Sequence, residues 1–147
     1  KTMKTKTKIR HCIKNNPLLN DYGMGSPPWT PLKLKSKQIK QDQKRLIDNA
    51  ENFELACSLF SEIDQTQSID SSGHSSYYIK HLFERRLECG HLSNGTLIAA
   101  ALTTGFQIKR IGSTPNVLLN ISKETLQQLY DESLQYQKYP QHKEAVN

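Results

Sequence analysis

Between Ser93 and Gly105 the chain reads SNGTLIAAALTTG. Ser93 offers a hydroxyl to cap a helix, and Gly105 is a residue that ends one without strain. Between them, Leu97, Ile98, Ala99, Ala100, Ala101 and Leu102 place apolar groups on every side of about a turn and a half. A helix that is apolar all round is stable in water only when other elements cover it from several directions. Residues 94–104 are therefore predicted to be the buried centre of a domain, and the rest of the chain must supply the cover.

Three further segments carry helical periodicity. Over residues 36–62, Ile39, Leu46, Ala50, Phe53, Cys57 and Phe60 advance by steps of 7, 4, 3, 4 and 3. That spacing puts them on one face of a single helix opened by Ser36. A helix capped by Ser75 or Ser76 runs to Glu88, with Ile79, Leu82, Phe83 and Leu87 inward and Lys80, Glu84, Arg85 and Glu88 outward. Gly90 follows as its stop. Ser122 opens a last helix with Leu126, Leu129, Tyr130 and Leu134 inward. FQIKRI and VLLNI alternate as strands, and GSTPN between them suits a hairpin over 106–121. The fold class expected is α+β: three to four helices around helix 94–104, with one β-hairpin.

Charge divides the chain unevenly. Residues 1–50 hold 12 Lys/Arg against 3 Asp/Glu, and residues 51–147 hold 8 against 11. Apolar residues make up 35% of the sequence, and the mean hydropathy is −0.67, so part of the chain is expected outside the core. The Lys/Thr alternation of KTMKTKTKIRHCIKNN would give an edge strand only a thin apolar face, so it reads as a basic arm. PLLNDYGMGSPPWTPLKLK, rich in Pro and Gly, reads as a linker. Trp29 within it is expected to pack back onto the domain, because an exposed indole is costly. The resulting organisation is a basic, Pro/Gly-broken arm over 1–35, one globular domain over 36–138, and a frayed tail over 139–147.

The order helix, turn, helix, strand over residues 77–112 suggests a DNA-reading helix-turn-helix with a wing. The side chains argue against it. A recognition helix must present donors and acceptors to base edges, whereas helix 94–104 has polar residues only at its ends. Asn94 and Thr96 there are placed for at most a phosphate or base-edge contact. Arg85 and Arg86 sit on the wrong helix for base readout. The basic third is the better candidate. Lys4, Lys6, Lys8 and Arg10 with Lys37, Lys40, Lys44 and Arg45 form a set suited to phosphates, and Lys109 and Arg110 add two cations near the hairpin tip. Binding through them would be salt-dependent and blind to sequence.

The leading expectation is a small non-enzymatic protein that binds nucleic acid or a nucleoprotein through its basic third. The alternative is a protein-protein module, such as an inhibitor, adaptor or effector fragment, that docks on an acidic protein surface through the arm and Trp29. A third reading is a thiol enzyme around Cys89, with His81 and His91. No third orienting residue or oxyanion loop accompanies that pair, and no Gly-rich phosphate loop is present. Cys89-Gly90-His91 lacks the second ligand pair that zinc sites usually show. No catalytic residue, metal or cofactor is therefore assigned. Three widely spaced cysteines, Cys12, Cys57 and Cys89, do not suggest a disulfide framework, and reduced thiols suit a cytoplasmic setting. No apolar run suggests a signal peptide or membrane span. Asn94-Gly95-Thr96 and Asn120-Ile121-Ser122 match the glycosylation pattern, which has meaning only in a secreted chain.

Overall fold

The computed structural model describes the backbone of residues 2–138 and the side chains of residues 4–135. The fold is α+β. Its helices are α1 (Thr2–Asn15), α2 (Lys35–Asp48), α3 (Phe53–Ser61), α4 (Ser76–Leu87), α5 (Asn94–Thr103) and α6 (Lys123–Lys138). Two short antiparallel hairpins accompany them, β1 (Leu19–Asn20) with β2 (Gly23–Met24) and β3 (Ile108–Arg110) with β4 (Val117–Leu119). The expected frayed tail, 139–147, lies outside the described residues.

Helix α5 is the centre, as its composition requires. Every residue from Asn94 to Ala101 is buried. The Ser93 hydroxyl accepts the Thr96 N–H at 3.0 Å and caps it. Helices α1, α3 and α4 and the β1–β2 hairpin all pack against it. Phe60 on α3 joins this packing to α4 and the loop after α5, with ring centroids 4.6 Å from Phe83 and 4.9 Å from Phe106. Tilted aromatic pairs at such distances add about 0.5–1.5 kcal/mol each beyond the area they bury.

The cover comes partly from the segment expected to be an arm. Residues 2–15 are a helix, and Ile9 and Cys12 are buried in the same cluster as α5. Cys12 Sγ donates to the Ala99 carbonyl at 3.6 Å and lies 3.3 Å from Thr103 Oγ1. These contacts hold α1 to α5 across 87 residues of sequence. They supply what the local pattern lacks, since Thr and Lys alternation has no strong helical signal of its own.

The segment expected as a linker also folds. In the β1–β2 hairpin, Leu19 pairs with Met24 and Asn20 with Gly23. The buried Asn20 side chain organises it. Its Nδ2 donates to the carbonyls of Leu18 and Gly25, and its Oδ1 accepts the Tyr22 N–H at 2.8 Å. Gly23 sits at φ 130°, a value side-chain-bearing residues rarely adopt. The Met24 N–H reaches the Pro115 carbonyl at 2.8 Å, so this hairpin is tied to the β3–β4 connection.

The expected single helix over 36–62 is two helices. The break falls at Asn49–Asn52, where Asn52 takes a left-handed conformation with φ 65°. Asn is one of the few side-chain-bearing residues that does so readily. The Asn52 amide donates to the carbonyls of Cys89 and His91 at 3.1 and 2.9 Å, which pins the break to the α4–α5 connection.

Helix α4 is capped by Ser75, as expected, but ends one residue earlier than expected, with Glu88 left-handed at φ 50°. Lys80, expected outward, is buried on this helix. Helix α6 starts at the Ser122 hydroxyl, which accepts the Thr125 N–H at 3.1 Å. It buries Leu126 and Leu129 but leaves Tyr130 and Leu134 exposed, and the small Ser133 takes the inward position. Strand β4 is buried on both faces. Helix α4 packs against it, and the polar 63–75 loop pairs along its edge away from β3, with Ser75 bridging Leu118 and, just beyond the strand, Gln65 bridging Ile121.

Candidate nucleic-acid interface

The inward edge of α1 is fixed by Ile9 and Cys12. Lys4, Thr7, Arg10, His11 and Lys14 then fall on the opposite side at helical spacing, and all are exposed. On α2, Asp42 and Leu46 are buried, so Lys37, Lys40 and Lys44, at i, i+3 and i+7, line the outward side. At 1.5 Å per residue this row is about 10 Å long. The two helices pack together, and Lys6 Nζ to Asp48 Oδ1 at 3.9 Å joins them. Their exposed stripes thus lie on neighbouring helices.

The cations differ in how committed they are. Among the described residues, no carboxylate stands within ion-pair distance of Lys4, Arg10, Lys14, Lys37, Lys40 or Lys44. Lys8 is bound to Glu54 at 3.2 Å. The Thr5 hydroxyl donates to the same carboxylate at 2.6 Å, and together with Lys8 it holds the Glu54 acid below the ordinary glutamate range. Arg45 faces the buried Asp42 at 3.4 Å and serves that charge first. Lys109 is exposed on β3. Arg110 is not a free tip residue. Its guanidinium donates to the Thr114 carbonyl at 3.3 Å and lies over Gly25, where a β-carbon would meet Nη2 at 2.7 Å. Lys14, outside the expected set, joins this side through its helical spacing from Lys4 and Arg10.

Trp29 does not pack back. It is 77% exposed, at the rim of a groove of about 550 Å³. Tyr22 from the β1–β2 turn and Tyr77 from α4 share that groove and are 43% and 53% exposed. Asp21, Lys80, His91 and Asn94 give it polar groups. Lys80 is 7% exposed, with Nζ 3.3 Å from Glu84 and 5.2 Å from the Tyr77 ring centre. His81 meets the Tyr77 ring edge-on at 4.7 Å. These contacts fix the Tyr77 ring from one side.

Glu84 is the hub behind the groove. Burial pushes its acid up, but the Leu92 N–H at 2.7 Å, Lys80, and His81 at 2.9 Å outweigh burial and hold it below the ordinary range. The histidines expected around Cys89 therefore serve Glu84 instead, with His91 Nδ1 4.0 Å away. The Cys89 thiol is pushed up by burial and by the Glu84 charge, the opposite of an activated nucleophile. Cys57 is pushed up to about 12 by burial and Glu54. Among the described residues, no three His, Cys, Asp or Glu side chains converge where they could hold a metal ion, and no helix is long and apolar enough to cross a membrane.

The two polar residues at the start of α5 are already engaged. Thr96 is buried in the Ser93 cap, and Asn94 Nδ2 donates to the Tyr22 carbonyl at 2.8 Å and to Asn116 Oδ1 at 3.1 Å. Asn120 is likewise buried, donating to the Thr66 carbonyl and accepting the Gln107 N–H. Neither glycosylation pattern presents a free amide.

Compared with protein-family models, curated proteins and solved structures, the chain has no match.

Proposed function

We propose that this protein binds nucleic acid through the phosphate backbone, using the outward faces of α1 and α2, and performs no chemistry on it. The observation that carries this reading is the row Lys37, Lys40 and Lys44, three exposed cations in one line with no carboxylate partner among the described residues. Lys4, Arg10 and Lys14 continue the charge on the adjoining helix. Such a surface suits a ligand whose own charges repeat at short intervals. A duplex presents one phosphate charge per about 1.7 Å of axis. Contacts of this kind position a protein without reading sequence.

The deciding experiment is a titration of labelled random-sequence duplex and single strand by fluorescence anisotropy at low salt. Binding to either, insensitive to sequence, supports the reading. Absence of binding to both removes it.

A second reading, a protein-protein module docking through Trp29, draws on the exposure of that indole. It predicts a partner complex lost on Trp29→Ala, with nucleic-acid affinity unchanged.

A further inference from the structure

Three hydroxyl residues of the chain stand directly before a proline: Ser26, Thr30 and Thr114. The fold treats them differently. Ser26 is buried, with its hydroxyl closed off from solvent. The Thr114 hydroxyl is engaged inside its own turn, donating to the Ile111 carbonyl at 2.7 Å and accepting the Asn116 N–H at 3.2 Å. Thr30 is half-buried, and its hydroxyl holds no hydrogen bond among the described residues. Its neighbours Pro28, Trp29, Pro31, Leu32 and Lys33 are all exposed. Pro31 carries the chain on in an extended conformation, with φ −57° and ψ 137°. The short 3-10 turn that follows, Leu32–Leu34, buries no residue, so it can straighten against a partner without opening the core.

The residues after Thr30 add a charge pattern. Proline-directed protein kinases take a free hydroxyl on an accessible, extendable segment, accept a residue without an N–H directly after it, and favour a cation three positions on. Ser26 and Thr114 have Trp29 and Val117 at that third position, whereas Thr30 has Lys33. We infer that Thr30 is a phosphorylation site for a proline-directed protein kinase, and that its phosphate weakens backbone binding by α2. The γ-phosphoryl group passes from ATP to Thr30 Oγ1. The bond from the γ-phosphorus to the bridging oxygen breaks, an Oγ1–P bond forms, the hydroxyl proton goes to the kinase's base, and ADP leaves. The effect on binding rests on the nucleic-acid reading above. From Tyr22 to Gln41 the chain has Lys33, Lys35, Lys37 and Lys40 and no carboxylate. A phosphothreonine brings about −1.5 to −2 charges at pH 7 to this segment, where it competes with nucleic-acid phosphates for the same lysines.

The test incubates the whole chain with MgATP and purified kinases of two proline-directed classes, cyclin-dependent and mitogen-activated, and locates phosphate by mass spectrometry. The expected result is one phosphate, on Thr30, lost in Thr30→Ala, restored in Thr30→Ser and strongly reduced in Pro31→Ala. Circular dichroism verifies that the variants fold. No incorporation by either kinase, or incorporation at Ser26 or Thr114 in place of Thr30, overturns the assignment. The phosphorylated protein is then titrated with labelled random duplex by anisotropy at low salt. Its affinity should fall at least about five-fold and return on phosphatase treatment. Phosphate on Thr30 with affinity unchanged overturns the effect on binding. Absence of nucleic-acid binding by the unmodified protein removes the functional reading and that effect together, while the mass measurement decides the site independently.

Discussion

The backbone carbonyl of Asn20 stands where a β-carbon on Gly95 would be. Helix α5 and the β1–β2 hairpin meet there without room for a side chain, and the Gly95 N–H donates to the Asp21 carbonyl at 3.1 Å. That contact holds the turn carrying Asp21 and Tyr22 at the groove.

Gly95→Ala is therefore expected to destabilise. In an open helix the change gains about 1 kcal/mol. Here the obstacle is backbone, which cannot rotate away, and overpacking of this kind costs about 1–3 kcal/mol. Denaturant unfolding should show the midpoint falling with the slope unchanged. A raised midpoint would mean that hairpin and helix do not touch.

Glu84→Gln should cost about 1–3 kcal/mol, because Lys80 is left buried without its charge partner and the Leu92 N–H keeps only a neutral acceptor. The folded acid lies below its unfolded value. Its contribution is therefore complete above the ordinary glutamate range and is lost as pH falls through the depressed folded value. The gap in stability between wild type and Glu84→Gln should narrow on acidification within that window. A gap independent of pH there would contradict the network.

The three thiols should react slowly near neutral pH. Burial raises each of them, Cys57 up to about 12, so the thiolate fraction is small. Thiol-exchange kinetics should accelerate as pH rises. A fast phase at Cys89 near pH 7, lost on Cys89→Ser, would restore the enzyme reading.

The elements legible in the sequence are those with local punctuation. Ser75, Ser93 and Ser122 cap α4, α5 and α6, and the GSTPN connection marks the β3–β4 hairpin. The burial of α5 followed from composition alone. What escaped was held by contacts distant in sequence. Helix α1 depends on Cys12 meeting Ala99 and Thr103. The strands β1 and β2 are two residues each and depend on the Asn20 side chain, so their Pro/Gly surroundings read as linker. Asn52 breaks the 36–62 pattern through bonds to residues nearly forty positions away. Composition marks the basic residues, but their arrangement in rows depends on α1 being a helix. Trp29 was expected to be covered on grounds of cost, and its exposure became evident only with the groove around it.

Backbone binding by α1 and α2 is tested most directly by salt dependence. Affinity for random nucleic acid should be measured by anisotropy between about 50 and 200 mM salt, for wild type and for Lys37/Lys40/Lys44→Ala. These side chains are exposed, so the variant should fold normally. Each lost phosphate contact lowers the log–log slope by about 0.7–0.9, and the triple variant should show a slope shallower by about 2–3. An unchanged slope, or wild-type affinity that does not respond to salt, would contradict the account.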